Sequence, residues 1–273
     1  MDIQAAYPTA MRSSPASGPE RWRLYGASDP SVIAGGQSHV VSLMTALDEG
    51  LCPAGLRAAV AYAADFAAGP PDDDGYWDFL ARVGTGRTVA VVWDGNQHNT
   101  AFLLSSEPPF RVYASTVREP GDEQGVWIPQ EMVRDFWSAS VEHLSDVLAR
   151  LSRVAEVLVL GTPPPKSEQI IRATLASDPY WVASVRQLGL EMDNVKVTPV
   201  PVRIALWRVL QDLLRDRADR AGATFVPIPA AAVGSDDLLL DCYGNPDVTH
   251  ANSAYGGLMW GEIIASLGGS AHT

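Results

Sequence analysis

A chain of 273 residues with 47% hydrophobic and 19% charged side chains fits one large α/β domain or two small ones and can bury a sizeable core. Its net charge of −12 argues against a nucleic-acid backbone or an anionic membrane surface as partner. Two cysteines, Cys52 and Cys242, without a Cys-x-x-Cys spacing, exclude a disulfide framework and point to a reducing compartment.

The first thirty residues hold Pro8, Ser13, Ser14, Pro15, Ser17, Gly18 and Pro19 and no apolar stretch fit for a signal peptide. Residues 1–28 are therefore expected to be a flexible or loosely docked arm and residues 29–273 a single domain, in a cytoplasmic protein. No run reaches the roughly 20 apolar residues of a membrane helix.

Val32-Ile33-Ala34 reads as the first strand, and it runs into Gly35-Gly36-Gln37-Ser38-His39. The glycines allow a sharp turn, and residues 40–47 then read as a helix. Residues 57–62 form a second strand whose alanines suit a helix equally well. The stretch Ala68-Gly69-Pro70-Pro71-Asp72-Asp73-Asp74-Gly75 has to be a loop, leading to a short helix from Tyr76 to Val83 with Asp74 as its cap. Thr88 to Trp93 is the clearest strand, β-branched and continuous, and it ends in Asp94-Gly95-Asn96-Gln97-His98-Asn99.

Apolar residues at helical spacing predict one long helix from Pro129 to about Val154. Glu156 to Leu160 is the next buried strand, followed by Gly161-Thr162-Pro163-Pro164-Pro165. Residues 166–200 give no clear pattern. A helix over 202–221 follows, with Arg215/Asp219 and Asp216/Arg220 spaced as i,i+4 pairs. Residues 224–228 are the last strand, and a loop to about Asn252 leads into a closing helix with Leu258, Met259, Ile263 and Leu267. Apolar strands alternating with helices imply a mostly parallel sheet covered on both faces, with a ligand crevice at the carboxyl ends of its strands.

The polar groups that follow strands directly are thus the candidates. Ser38 follows the first strand, Asn96 the clearest one, and Asp247-Val248-Thr249-His250 lies in the loop before the closing helix. An Asp three residues before a His can hold the imidazole by Nδ1 and leave Nε2 to take a proton from a hydroxyl. Ser38 needs such a base, and a side-chain amide such as that of Asn96 could stabilise the oxyanion that forms. Each piece alone is commonplace, since an isolated Asp-x-x-His is usually a turn or a cap. Their joint occurrence at strand ends is not.

In that order of motifs the chain resembles the SGNH (GDSL-type) hydrolases. Gly36-Gln37-Ser38 stands for the family's Gly-Asp-Ser, Asp94-Gly95-Asn96-Gln97 for its Gly-x-Asn-Asp, and Asp247-Val248-Thr249-His250 for its Asp-x-x-His. The resemblance spans about residues 30 to 267. It implies a three-layer α/β/α sandwich on a five-stranded, mostly parallel sheet of flavodoxin-like type. It further implies Ser38 as nucleophile, His250 as base and Asp247 as its partner. The Ser38 N–H, Asn96 and a second-block glycine would be the oxyanion donors. Gly75 is the better candidate for that glycine and Gly69 the other. Gln37 and Gln97 depart from the family's carboxylates.

The implied activity is hydrolysis of a carboxylic ester, acetyl or short acyl, on a small molecule or carbohydrate, with no cofactor and no metal. Acyl transfer through the same acyl-enzyme is the alternative, and a non-catalytic binding protein on the same fold a third reading. His39 and His98, both after strand ends, read as neighbours of the site. Gly95-Asn96-Gln97-His98 superficially resembles the Gly-Asn-His of metallophosphoesterases, but the His comes one residue late and no acidic ligand pair stands near the first strand. Trp93, Trp181 and Pro163–Pro165 read either as crevice lining or as core.

Overall fold

The computed structural model describes residues 22–63, 74–93, 97–105, 109–113 and 126–269. Elements in the first half are β1 (Trp22–Gly26), β2 (Val32–Gly36), α1 (Val40–Asp48), β3 (Ala58–Ala63), α2 (Asp74–Gly84), β4 (Thr88–Val92), α3 (Gln97–Phe102) and the short pair β5 (Phe110–Tyr113) and β6 (Val126–Pro129). The second half contributes α4 (Gln130–Ser138), α5 (Glu142–Leu151), β7 (Glu156–Leu160), α6 (Glu168–Leu175), α7 (Pro179–Gln187), α8 (Val200–Ala221), β8 (Thr224–Val226) and α9 (Ser253–Gly269).

Among the described residues the main sheet has six strands in the order β1-β3-β2-β4-β7-β8. The five from β3 to β8 run parallel, as expected from their continuous apolar sequences. The sixth, β1, lies antiparallel on β3 and comes from residues assigned by sequence to the arm. Aromatic anchors hold it there. Trp22 packs against Phe79 of α2, and Tyr25 packs against Tyr62 of β3 and gives its hydroxyl to Asp48 of α1.

Side chains alternate across the sheet, so its strands feed two separate cores. Ile33, Ala61, Val89, Val91, Val157 and Val159 point to α2, α4, α5 and α8. Val32, Ala34, Val60, Ala90, Val92, Leu158 and Leu160 point to α1 and α9. The result is the expected α/β/α sandwich. Its largest buried side chains are Trp77 and Trp137 on one face and Trp260 on the other; truncating any of them to Ala would cost about 3–5 kcal/mol. A third, smaller cluster packs α6 and α7 over Leu103 and Val248, beside the carboxyl edge. It belongs to the stretch that sequence left unassigned.

Two expectations change. The single helix from 129 to 154 is two, α4 and α5, broken at residues 139–141. At the break the Ser140 N–H and hydroxyl both donate to the Trp137 carbonyl, which Val141 N–H also shares, so the chain tightens into an i→i−3 turn there, while the Ser138 hydroxyl donates to the Arg134 carbonyl. This lets Val141 enter the core and re-aims Leu144, Val147 and Leu148 at the sheet. On α8, Asp216 pairs with Arg134 of α4, and Arg215 lies over the Phe225 ring. Trp93 and Trp181 are core, Trp93 stacking on Trp77 with centroids 5.6 Å apart. Among the described residues no helix is long and apolar enough to cross a membrane.

Candidate active site

β2 has β3 on one side and β4 on the other, so the chain winds outward from β2 in both directions. The carboxyl ends of β2 and β4 therefore border a topological switch point, the place where open parallel sheets form ligand crevices. Gly35 and Gly36 close β2 there. A side chain on Gly35 would strike Leu80 at 2.7 Å. Gly36 adopts φ +147°, and a Cβ on it would lie 1.9 Å from the Val92 carbonyl oxygen. Only glycine serves this turn. Its N–H donates to the Tyr76 hydroxyl at 2.7 Å, which donates on to the Ala61 carbonyl at 3.0 Å. Gln37 N–H donates to the Val92 carbonyl, and Val40 N–H back to Gln37, so α1 begins at once and Ser38 stands exposed in the turn just before it.

The Asp247–His250 loop meets Ser38 from the other end of the chain. His250 Nε2 lies 2.9 Å from Ser38 Oγ, and His250 Nδ1 lies 3.1 Å from Asp247 Oδ2. Asp247 Oδ1 accepts from the backbone N–H groups of Thr249 at 2.7 Å and His250 at 2.6 Å. The same carboxylate thus shapes the turn and holds the ring. Asn245 N–H donates to the His250 carbonyl, and Asn252 Oδ1 accepts from Tyr255 N–H, tying the loop to the start of α9.

Lys166, which follows the Pro163–Pro165 loop, completes the group. Its side chain is only 3% exposed, and its Nζ lies 2.8 Å from the Asn245 carbonyl, 2.7 Å from the Asp247 carbonyl and 3.2 Å from Asp247 Oδ1. Burial alone would raise the Asp247 carboxyl. The His250 hydrogen bond and charge, followed by the Lys166 charge, outweigh burial and hold it below the usual carboxylate range. Burial lowers Lys166, with the Asp247 charge opposing. Asp178, which caps α7 through Tyr180 and Trp181 N–H, is raised by burial, and the neighbouring Asp247 charge adds to this against its own backbone hydrogen bonds.

His39 lies behind the base, its ring centroid 5.1 Å from that of His250. It is buried, and burial, then the charge of His250, holds its imidazole well below the ordinary histidine range, so it is neutral. His98 is buried in α3, and its charge acts in the same direction on His39. Among the described residues no group of three His, Cys, Asp or Glu side chains is placed to hold a metal ion.

Of the residues singled out by sequence, Ser38, His250 and Asp247 come together. Gly75 lies in the first turn of α2, next to the Tyr76 whose hydroxyl holds the Gly36 N–H. Asn96, with Asp94, Gly95 and Gly69, lies outside the described residues. Gln37 is buried. Lys166 and Asp178 were not found by sequence. The available signals were that Lys166 is one of only two lysines in the chain and follows a strand end, and that Asp178-Pro179 is a helix-start dipeptide.

At the opposite, amino edge of the sheet a recess of about 720 Å³ is lined by Asp29, Arg57, Arg87, Arg153 and Glu156 among others. Asp29 pairs there with Arg57 at 2.7 Å and Arg87 at 3.5 Å. None of the lining residues is a histidine or a cysteine.

No family model matches the sequence, and no curated protein does. Among solved structures the chain is similar to a GDSL-like lipase from Bacteroides thetaiotaomicron, at 11% identity over 88% of each chain and a TM-score of 0.43. It is also similar to the periplasmic domain of a lipopolysaccharide acetyltransferase from Salmonella ser. Paratyphi A, at 11% identity over 89% of this chain and 85% of that one, with a TM-score of 0.44. A third is a catalytic mutant of an acetylxylan esterase from Geobacillus stearothermophilus, at 11% identity, 89% and 95% coverage and a TM-score of 0.37.

Proposed function

We propose that the protein is a serine esterase of the SGNH (GDSL-type) kind, acting on an acetyl or other short acyl ester of a small molecule or carbohydrate. The observation that carries this reading is the continuous chain Ser38 Oγ–His250–Asp247, built from two distant segments at the carboxyl edge. In this mechanism Ser38 Oγ attacks the ester carbonyl carbon while its proton passes to His250 Nε2. The Asp247 carboxylate holds Nδ1–H and stabilises the imidazolium. The tetrahedral intermediate collapses, the alcohol leaves with the proton from Nε2, and an acyl-Ser38 ester remains. Water, deprotonated by His250, then releases the acid and restores the serine.

The oxyanion needs donors fixed before the reaction begins. The Ser38 N–H, at the start of α1, and the N–H of Gly75 are proposed for this, together with the Asn96 amide; Gly75 and Asn96 are assigned from the motif resemblance. The neutral His39 ring shields one face of His250 from water and keeps a further positive charge away from it.

Hydrolysis of 4-nitrophenyl acetate tests the reading. The parent protein is expected to turn over with chelator present, and Ser38→Ala to lose about 10⁴-fold or more in kcat. Equal rates in the two proteins would overturn the reading, as would activity abolished by chelator and restored by a divalent metal. An added sugar or alcohol that captures the acyl group would place the chemistry with acyl transfer instead of hydrolysis.

A further inference from the structure

The three Nζ contacts of Lys166 go to three oxygens, two carbonyl and one carboxylate. Three acceptors match the three N–H donors of an ammonium head group. That ammonium is nearly inaccessible to water, and its stem runs past Gly244, whose added Cβ would meet Lys166 Cε at 3.6 Å. Its own backbone is also fixed: the buried Arg203 guanidinium donates to the Lys166 carbonyl at 2.8 Å, and Ser167 caps α6. Lys166 thus projects from the anchored end of the loop between β7 and α6 and holds the loop that carries Asp247 and His250.

We propose that Lys166 is the positioning residue of the Ser38–His250–Asp247 chain. Its head group cross-links the Asn245–Asp247 loop to the carboxyl edge of the sheet and so fixes where His250 meets Ser38. The catalytic role of that chain rests on the esterase reading; the geometry does not. Lys166 contacts Oδ1 while His250 contacts Oδ2, so one carboxylate is held from both oxygens. Oδ1 also accepts from the Thr249 and His250 N–H groups, so a shift of the carboxylate would move the turn and the ring together.

The test compares the parent, Lys166→Met and Lys166→Gln. Methionine removes the charge and the donors; glutamine removes the charge but can still donate to the loop carbonyls, and it supplies the readout if the methionine variant does not fold. Amide hydrogen exchange at Thr249 and His250, the two N–H groups that donate to Asp247 Oδ1, reports the loop without assuming a reaction. Lys166→Met is expected to exchange there about tenfold faster than the parent or more, and Lys166→Gln by a smaller factor. On the activated acetyl ester kcat should fall about ten- to a hundredfold in Lys166→Met, with KM nearly unchanged and part of the loss recovered in Lys166→Gln, because Lys166 touches no substrate. Exchange unchanged at both amides in both variants would overturn the proposal whether or not the protein hydrolyses esters. A parent that neither hydrolyses the ester nor differs from Ser38→Ala, with exchange still faster in Lys166→Met, would remove the esterase reading and leave the positioning role standing.

Discussion

The two edges of the parallel sheet carry similar inventories of charge and put them to different ends. At the amino edge Asp29, Arg57 and Arg87 form ion pairs, but Arg57 and Asp29 remain 61% and 70% exposed. Water solvates these groups in every protonation state, and such pairs are worth about 0–1 kcal/mol. At the carboxyl edge Lys166 and His39 are buried and Asp247 is half-buried between its partners, and each is pushed off its ordinary pKa by burial or by a neighbour. Burial makes the protonation of one group depend on the others, and that dependence is what general-base chemistry needs. Counting charged residues does not distinguish the two edges; desolvation does.

The sharpest way to break the comparison is at Asp247. Asp247→Asn keeps the side-chain volume but offers His250 Nδ1 an amide, and an amide nitrogen there forces the wrong tautomer on the ring. We expect a loss of about 10³- to 10⁴-fold in kcat. Activity equal to the parent's would make this residue only a turn former. The same substitution tests the electrostatics through stability. The Asp247 carboxyl is depressed in the fold, so its contribution is complete above the unfolded value of about 3.9 and is lost as pH falls through the lower folded one. Denaturant midpoints measured from pH 6 to pH 3 should therefore fall more steeply for the parent than for Asp247→Asn.

The smallest effect belongs to the other edge. Asp29→Asn should leave ester hydrolysis unchanged and shift stability by less than about 1 kcal/mol, measured by denaturant unfolding. A large loss of activity there would mean that the amino-edge recess takes part in the chemistry and that the contrast between the edges is wrong.

What was legible in the sequence follows the range of the interactions involved. The five parallel strands show as local apolar runs, and Gly36-Gln37-Ser38 and Asp247-Val248-Thr249-His250 are each short enough to read in place. The antiparallel strand β1 was not legible, because its proline- and serine-rich neighbours conceal aromatic anchors whose partners, Tyr62 and Phe79, lie far along the chain. The break between α4 and α5 was hidden because serines that end a helix also occur on helix surfaces. Lys166 had the weakest signal of all. Its acceptors lie 79 and 81 residues away, and no spacing rule links a lysine after a proline run to a later Asp-x-x-His.

On the esterase reading, burial at the carboxyl edge turns Ser38 into a nucleophile. Covalent labelling with a fluorophosphonate, followed by peptide mass spectrometry, addresses it directly, because it reads the reactivity of one oxygen without assuming a substrate. Modification is expected at Ser38 in the parent, with labelling slowed by orders of magnitude in Asp247→Asn and none at this position in Ser38→Ala. A native protein whose Ser38 stays unmodified, or labels no faster than other exposed serines such as Ser152, would contradict that reading.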